Sequence, residues 1–373
     1  MALPCFPEAA TAAKVFNFAA GPGVMPAAVL AEAQREFLNW HDSGLSMLEM
    51  PFTGDAFKAV LRQVRDDLRT LLNIPDNYHI LFMHGGASAQ FSLVPLNLLG
   101  KAERADYVET GYWSGKSMRE GSRYCNVNIA ASSRATGFDC MPEVLRLDPS
   151  AAYCHITSNE TANGVQFHNI PESGNLPLVV DMTSDFLSRS LDVSRYGLIY
   201  AGAQKNIGPA GLTIVIVRDD LLGRAHPATP VVFNYQAQAE ADSMLNTPIT
   251  FAVYLAGLVF RWIASMGGIE TMARNSAQRS AQLYNAIDDS DGFYRCPVQP
   301  AHRSHMNVCF TLADAAFTPL FLSAAAVEGL LNLKGHPMTG GIRASLYNAM
   351  PDAGVMALIA FMQRFIKEHH YHV

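Results

Sequence analysis

Short apolar runs alternate with helical patterns through the middle of the chain. The runs that predict buried strands are residues 78–83, 105–108, 152–156, 177–180, 198–200 and 212–217. Helical patterns lie between several of them, as at residues 55–72 and 89–99. Alternation of strands and helices is typical of an α/β domain built around a mainly parallel sheet.

The pattern changes after about residue 275, where the elements become fewer and longer, including one predicted over residues 315–331. We therefore predict two domains. The predicted parts are a mobile extension (1–14), an N-terminal segment that joins the small domain (15–26), a large domain (27–275) and a small domain (276–373).

The composition of the chain argues against several classes of function. The 27 Lys and Arg residues are spread among 33 Asp and Glu residues, for a net charge of -6, which argues against a nucleic-acid or anionic-membrane surface. The longest apolar run, residues 250–266, is broken by Arg261 and predicts a buried helix rather than a membrane span. Six scattered cysteines and the absence of a signal-like start predict a cytoplasmic protein with free thiols, and no metal site is expected.

Lys205 is the strongest candidate for catalysis. It follows an apolar run and is surrounded by Gly, Ala, Gln and Asn rather than by other charges. A lysine in a tight, weakly charged pocket loses pKa through desolvation and becomes an amine nucleophile. This chemistry predicts a Schiff base with pyridoxal 5'-phosphate (PLP). The alternative is a lysine that only caps a buried strand end.

Three further features are compatible with a PLP site. The small residues around Ala87 and Ser88 follow a strand and open a helix, so their backbone N–H groups can approach a phosphate. Asp181 closes a strand and can keep a pyridine nitrogen protonated, while Trp113 offers an aromatic face for stacking. Each has an ordinary structural alternative, as a glycine turn, a turn aspartate or a packed aromatic residue.

Three longer segments carry a resemblance to a known family. Residues 192–197, 201–218 and 341–351 match the phosphoserine aminotransferase family almost letter for letter, and the resemblance extends from residue 15 to about residue 365. It implies a fold-type-I, aspartate aminotransferase-like PLP-transferase, with a mainly parallel seven-stranded sheet in the large domain and a smaller α+β C-terminal domain. It also implies a homodimer with active sites at the interface.

The resemblance also implies roles for individual residues. Lys205 would carry the cofactor, Asp181 would pair with its ring nitrogen and Arg343 would bind the substrate α-carboxylate. The remaining implied cofactor contacts are Trp113 against the ring, Thr161 near the ring hydroxyl, Ala87, Ser88 and Gln204 on the phosphate, and Asn246 and Thr247 of the partner subunit.

The chain departs from the family pattern where the substrate side chain is expected. Phe52 and Thr53 stand in place of a His-Arg pair, Ser88 and Pro337 replace two arginines, and the early Ser-Ser-Gly is Ala-Ala-Gly at Ala20. Of the family's histidine and arginine side chains in this pocket, His336 remains. Losing three charge-assisted contacts of about 1.5–3 kcal/mol each weakens an acid pocket by roughly 4–9 kcal/mol. The alternative is that Arg119, Arg123 or Lys58 replaces them.

We therefore predict a PLP-dependent aminotransferase of amino-acid metabolism that moves an amino group between an L-amino acid and a 2-oxo acid, with a neutral or apolar side chain preferred. One alternative is a genuine 3-phosphoserine:2-oxoglutarate aminotransferase of serine biosynthesis. Others are a PLP lyase or decarboxylase, and a catalytically idle PLP-binding protein. The idle protein is disfavoured because Lys205, Asp181 and Arg343 are all present.

Overall fold

The computed structural model describes residues 15–369, so the extension predicted over residues 1–14 lies outside the described residues. Numbered in chain order, the strands of the described part are β1 (Phe16–Asn17), β2 (Tyr78–His84), β3 (Arg104–Glu109), β4 (Asn126–Ser132), β5 (Cys154–Thr157), β6 (Asn159–Glu160), β7 (Val165–Gln166), β8 (Leu178–Asp181), β9 (Leu198–Gly202), β10 (Leu212–Arg218), β11 (Tyr294–Arg295), β12 (Asn307–Leu312), β13 (Leu330–Leu331) and β14 (Ile342–Ser345).

The α-helices are likewise numbered along the described chain. They are α1 (Ala27–Glu36), α2 (Asp55–Leu72), α3 (Gly86–Leu98), α4 (Tyr112–Gly121), α5 (Tyr235–Glu240), α6 (Thr250–Ser265), α7 (Gly268–Asp288), α8 (Thr318–Val327) and α9 (Asp352–His369). The helix predicted over residues 55–72 is confirmed, and the one predicted over residues 89–99 begins three residues earlier.

Seven strands form the central sheet in the order β2-β10-β9-β8-β5-β3-β4. Strand β10 is antiparallel to both of its neighbours, and the other neighbouring pairs are parallel, so the predicted mainly parallel seven-stranded sheet is confirmed. Every residue of β5, β8 and β9 is buried. Burial on both faces explains why these strands read as continuous apolar runs rather than alternating patterns.

Helices cover both faces of this sheet. On one face, α2 directs Phe57, Leu61, Val64 and Leu68 into the core at the three- and four-residue spacing of an amphipathic helix. Helix α6 packs closely against α2 at Gly257, where an added Cβ atom would lie only 2.4 Å from Val64 Cγ2. On the other face, α3 and α4 pack over a separate apolar cluster. The inner strands of the sheet are thereby buried on both faces.

A second core lies around the antiparallel sheet β11-β12-β14 and the helices α8 and α9. The single element predicted over residues 315–331 is wrong, because α8 ends at Val327 and Gly329 adopts φ +77°. This left-handed backbone, which favours glycine, turns the chain into β13. Strand β13 then pairs in parallel with β1, so the N-terminal segment joins this second core.

Helix α7 connects the two cores without a break. Ile269 and Met272 belong to the first core, whereas Leu283 and Ile287 belong to the second. The domain boundary proposed at residue 275 therefore falls inside a continuous helix, and it stays a prediction.

In the described part of the chain, no single helix is long and apolar enough to cross a membrane. Helices α6 and α7 satisfy the length and composition criteria only as a pair, and they meet at 82°. The five cysteines between residues 15 and 369 are all free thiols.

Phe321 on α8 tests the second core. Its side chain is fully buried and its ring contacts those of Tyr294, Phe310 and Phe361 edge to face. We expect Phe321→Ala to lower the free energy of unfolding by about 3–5 kcal/mol, because it leaves a cavity among these rings. The control Val327→Ala changes the same helix at a side chain that is 89% exposed, and is expected to cost less than about 0.5 kcal/mol. Urea denaturation measures both, and equal losses would contradict this account of the second core.

Candidate active site

The candidate site lies where the parallel strands end. Asp181 is the last residue of β8, and in the register of the sheet it lies between Thr157 of β5 and Tyr200 of β9. Lys205 follows three residues after β9. Because the carboxyl ends of parallel strands meet at one edge, residues distant in sequence converge there. One cavity is lined by seven of the predicted residues, namely Ala87, Ser88, Trp113, Thr161, Asp181, Gln204 and Lys205.

Lys205 is held inside this cavity by a short polar contact. Its Nζ atom donates to Thr161 Oγ1 at 2.5 Å and lies 5.6 Å from the centroid of the Trp113 ring. Burial lowers the pKa of Lys205 to about 8; the charge of Asp181 opposes this shift, and the nearby Arg343 adds to it. The amine is therefore deprotonated far more readily than that of a solvent-exposed lysine.

Asp181 is buried at the base of the same cavity. Its Oδ1 atom accepts a hydrogen bond from the backbone N–H of Thr183 at 2.9 Å. Burial raises the pKa of Asp181, while the hydrogen bond to Thr183 and the charge of Lys205 oppose that shift. A buried carboxylate of this kind is stabilised by a cationic partner, such as a protonated ring nitrogen.

The start of α3 can hold a phosphate. Gly85 adopts φ +97°, and a Cβ atom there would lie 2.5 Å from Ala89 Cβ, so the turn requires glycine. The helix that begins at Gly86 leaves its first N–H groups without intrahelical partners, and Ala87 and Ser88 line the cavity. Two further polar atoms of the lining, Thr157 Oγ1 and Trp113 Nε1, are buried without hydrogen-bond partners among the described residues. These features fit a polar, phosphorylated ring such as PLP.

Glu160 positions Trp113, and the sequence analysis missed it. The two carboxylate oxygens of Glu160 accept the backbone N–H groups of Trp113 at 2.9 Å and Ser114 at 2.8 Å. A Cβ atom on Gly111 would lie 2.7 Å from Glu160 Cδ, so a glycine there makes room for the carboxylate. Burial raises the pKa of Glu160, and the hydrogen bonds from the start of α4 oppose that shift. Its place directly before Thr161 was the available signal.

Three of the five predicted substrate residues, Arg343, His336 and Ala20, lie close to the cavity without lining it. Arg343 on β14 donates through Nη1 to the carbonyl oxygen of Thr161 at 3.3 Å. The ring of His336 lies 4.3 Å from that of Tyr112, and burial followed by the charge of Arg343 lowers the pKa of His336. The carbonyl oxygen of Ala20 accepts a hydrogen bond from the Tyr347 hydroxyl.

The N-terminal segment passes directly over the lysine. The backbone N–H of Gly23 donates to the carbonyl oxygen of Gln204 at 2.7 Å, and a Cβ atom on Gly21 would lie 3.6 Å from Lys205 Cγ. Ala20 is thereby brought beside the candidate nucleophile.

Besides Arg343, His336 and Ala20, four predicted residues do not line the cavity within one chain. Phe52 and Thr53 lie in the turn before α2, where Phe52 packs against the first core. Asn246 and Thr247 lie between α5 and α6, and Asn246 Oδ1 accepts a hydrogen bond from Gln238 Nε2 at 3.3 Å. Their roles at the site stay predictions.

Comparison with known proteins identifies the class. The family model described as aminotransferase class-V matches residues 15–358. A phosphoserine aminotransferase of Laribacter hongkongensis is 53% identical over 95% of this chain and 99% of the relative. The structure of a phosphoserine aminotransferase from Bacillus circulans subsp. alkalophilus superimposes with a TM-score of 0.94 at 41% identity, over 95% of this chain and 99% of that one. A PLP-bound phosphoserine aminotransferase from Trichomonas vaginalis gives a TM-score of 0.88 at 36% identity, over 94% and 100%.

The fold and the cavity are those of a fold-type-I PLP-dependent aminotransferase. The nearly full-length identity narrows this class further. The chain belongs to the class-V aminotransferase family and, within it, to the phosphoserine aminotransferases.

The lowered pKa of Lys205 predicts how cofactor uptake depends on pH. In the apo-protein the Lys205 amine is mostly neutral above about pH 8 and mostly protonated below that pH. The rate of PLP uptake, followed by absorbance, should rise about tenfold per pH unit below that value and level off above it. Continued tenfold increases up to about pH 10 would mean that the amine titrates like an exposed lysine.

Glu160→Gln tests the link between Glu160 and Trp113. The neutral amide replaces one acceptor oxygen by a donor, which then faces a backbone N–H of α4. We expect a changed visible circular dichroism of bound PLP and activity lower by at least about tenfold, because Trp113 shifts. Glu143→Gln, an exposed glutamate, is the matched control. An unchanged dichroism spectrum in Glu160→Gln would remove Glu160 from the site.

Proposed function

We propose that the protein interconverts 3-phosphoserine and 2-oxoglutarate with the corresponding phosphorylated oxo acid and glutamate, as an aminotransferase of serine biosynthesis in the cytoplasm. Relatives more than 50% identical over nearly the whole chain are named phosphoserine aminotransferases, which favours this substrate over a neutral one. The observation that carries this proposal is the placement of Lys205 and Asp181 in one cavity, with Arg343 bonded to the neighbouring Thr161 and close enough for its charge to act on Lys205.

Each of these side chains has a distinct proposed role. Bound PLP supplies an electron-withdrawing ring that makes the hydrogen on the Cα atom of the amino acid acidic. Lys205 would hold the cofactor through its amine and, as a free amine of lowered pKa, would serve as the base for the proton on the Cα atom of the amino acid. Arg343 binds the α-carboxylate through its planar guanidinium, and Asp181 keeps the ring nitrogen protonated.

The remaining cofactor contacts position the ring. We assign the ring face to Trp113, the ring hydroxyl to Thr161, and the phosphate to the N–H groups of Ala87 and Ser88 with the side chain of Gln204. In each case the residue lines the cavity that contains Lys205.

We further propose a homodimer in which Asn246, Thr247, Phe52 and Thr53 of the partner subunit complete the site. Within one chain the segment before Phe52 exposes several large apolar side chains, which is typical of a surface covered by a partner. These are Phe37 (41% exposed), Leu38 (80%), Leu45 (45%) and Leu48 (54%).

Arg119 is the candidate ligand for the substrate phosphate. A second cavity is lined by Arg119 and Arg134 together with Tyr112 and Thr339. Arg134 is paired with Glu109 and lowers the pKa of that carboxyl, with a smaller contribution from the charge of Arg119; Arg119 folds back along α4, so that its Nη1 would lie 3.8 Å from a Cβ atom on Gly115. A guanidinium in this second cavity offers a charge-assisted contact for a phosphate in place of the arginines that the sequence lacks.

Preference for a neutral side chain is the second candidate. Phe52, Thr53, Ser88 and Pro337 stand where cationic or imidazole side chains are expected. An apolar side chain gains about 25 cal/mol per Å² of buried surface and carries no charge to desolvate. This observation is specific to this chain and justifies a direct comparison of substrates.

The test compares kcat/KM for phosphoserine, glutamate and a series of neutral amino acids. We expect phosphoserine to exceed every neutral amino acid by at least about tenfold, and Arg119→Met to reduce its kcat/KM by about 10- to 100-fold. Arg123→Met is the matched control, because Arg123 lies just after the same helix with a side chain 70% exposed.

The outcomes separate the two candidates. Faster turnover of a neutral amino acid by the unmodified protein would overturn the phosphoserine proposal in favour of the second candidate. An unchanged kcat/KM in Arg119→Met would leave the substrate proposal standing and remove Arg119 from it.

A further inference from the structure

Lys116 is a half-buried cation that neither the cores nor the proposed roles explain. It lies on α4, and its Nζ atom is 5.4 Å from the centroid of the Trp113 ring. Among residues 15–369, no carboxylate lies within ion-pair distance of it. Glu120, one turn further along α4, is instead hydrogen-bonded to Ser92 and paired with Arg123. A half-buried ammonium without a carboxylate is a candidate for binding an anionic ligand.

The packing of α3 beside α4 indicates where such an anionic ligand would lie. Strands β2 and β3 run the same way across the sheet, so α3 and α4, which follow them, return side by side. The two helices are joined by the hydrogen bond from Ser92 Oγ to Glu120 Oε1 at 2.8 Å. Ser88 lies one turn before Ser92 on α3, and Lys116 lies one turn before Glu120 on α4. Lys116 therefore lies beside the start of α3.

The start of α3 lacks a cation of its own. Among the residues that line the cofactor cavity, Lys205 is the single basic side chain, and its nitrogen is used in binding the cofactor aldehyde. A phosphate monoester carries close to two negative charges at neutral pH, whereas a helix N-terminus offers about half a positive charge. The cradle of N–H groups therefore leaves most of the phosphate charge unbalanced.

We propose that Lys116 reaches from α4 to the cofactor phosphate bound at Ala87 and Ser88 and supplies its counter-charge. The ligand chemistry is a phosphate monoester, and the structure favours the cofactor as its source because the N–H groups of α3 line the cofactor cavity itself. This inference rests on the PLP dependence of the family and is independent of which amino acid is the substrate.

The test measures binding of PLP and of pyridoxal, which lacks the phosphate, to the apo-protein. Quenching of Trp fluorescence and absorbance give both dissociation constants. We expect Lys116→Met to raise the Kd of PLP by about 10- to 100-fold and to leave that of pyridoxal within about twofold. Lys116→Arg keeps the charge and should bind PLP within about threefold of the unmodified protein.

Lys101→Met, at an exposed turn after the far end of α3, controls for net charge. Equal weakening of PLP and pyridoxal in Lys116→Met would overturn the proposal, since the effect would then be structural. Unchanged PLP affinity would also overturn it. A raised KM for phosphoserine with unchanged PLP affinity would assign Lys116 to the substrate phosphate instead and thereby contradict the cofactor assignment.

Discussion

The removal of Lys205 from water is the constraint on which the site depends. An ammonium group in a protein interior is costly, so a lysine survives there only if its charge is weakened or balanced. Both conditions are met at the edge of the sheet, where Thr161 Oγ1 accepts a hydrogen bond from the Lys205 amine and Asp181 lies close enough to moderate the pKa shift. Parallel strands make this possible, since they bring the ends of β5, β8 and β9 to one place.

Three consecutive residues connect this edge to the rest of the molecule. Asn159 donates through Nδ2 to Ser184 Oγ and to Asn307 Oδ1, both at 2.8 Å, which ties the sheet edge to the second core. Glu160 holds the start of α4 and Thr161 holds Lys205. A displacement of this short segment is therefore felt by the cofactor cavity, by α4 and by the second core together.

Much of the fold was predictable because the central strands are buried on both faces. Strand β4 was missed, since it lies at the edge of the sheet and carries polar residues such as Asn126 and Asn128 among exposed positions. The helix over residues 315–331 was overextended because its apolar pattern continues through Gly329 into β13. Periodicity alone does not mark a turn that depends on one glycine and on a partner strand some three hundred residues away.

The residues of the candidate site likewise divide into those that the sequence predicted and those that only the structure revealed. Lys205, Asp181 and the glycine turn were found from local composition, because small neighbours and strand ends leave a signal in the sequence. Lys116 left no such signal and Glu160 only its place directly before Thr161, since a glutamate or lysine in a sequence resembles a solvated surface residue. Their importance follows from burial and from the pairing of α3 with α4, which only the three-dimensional arrangement contains.

The N-terminal segment that covers Lys205 reaches its place in an order that depends on synthesis at the ribosome. Residues 16–23 are synthesised early, but they are held by β13 and by Tyr347 and Ser345, whose backbone N–H donates to the Phe18 carbonyl at 3.2 Å. The strands of the sheet end at Arg218, and the α6 and α7 residues of its first core extend to Met272, so the sheet and most of this core can form as translation proceeds. The early segment must wait for the last part of the chain before it closes over the nucleophile. In a nascent or truncated chain Lys205 thus lacks this cover, and the surroundings seen here are complete only when the protein is nearly whole.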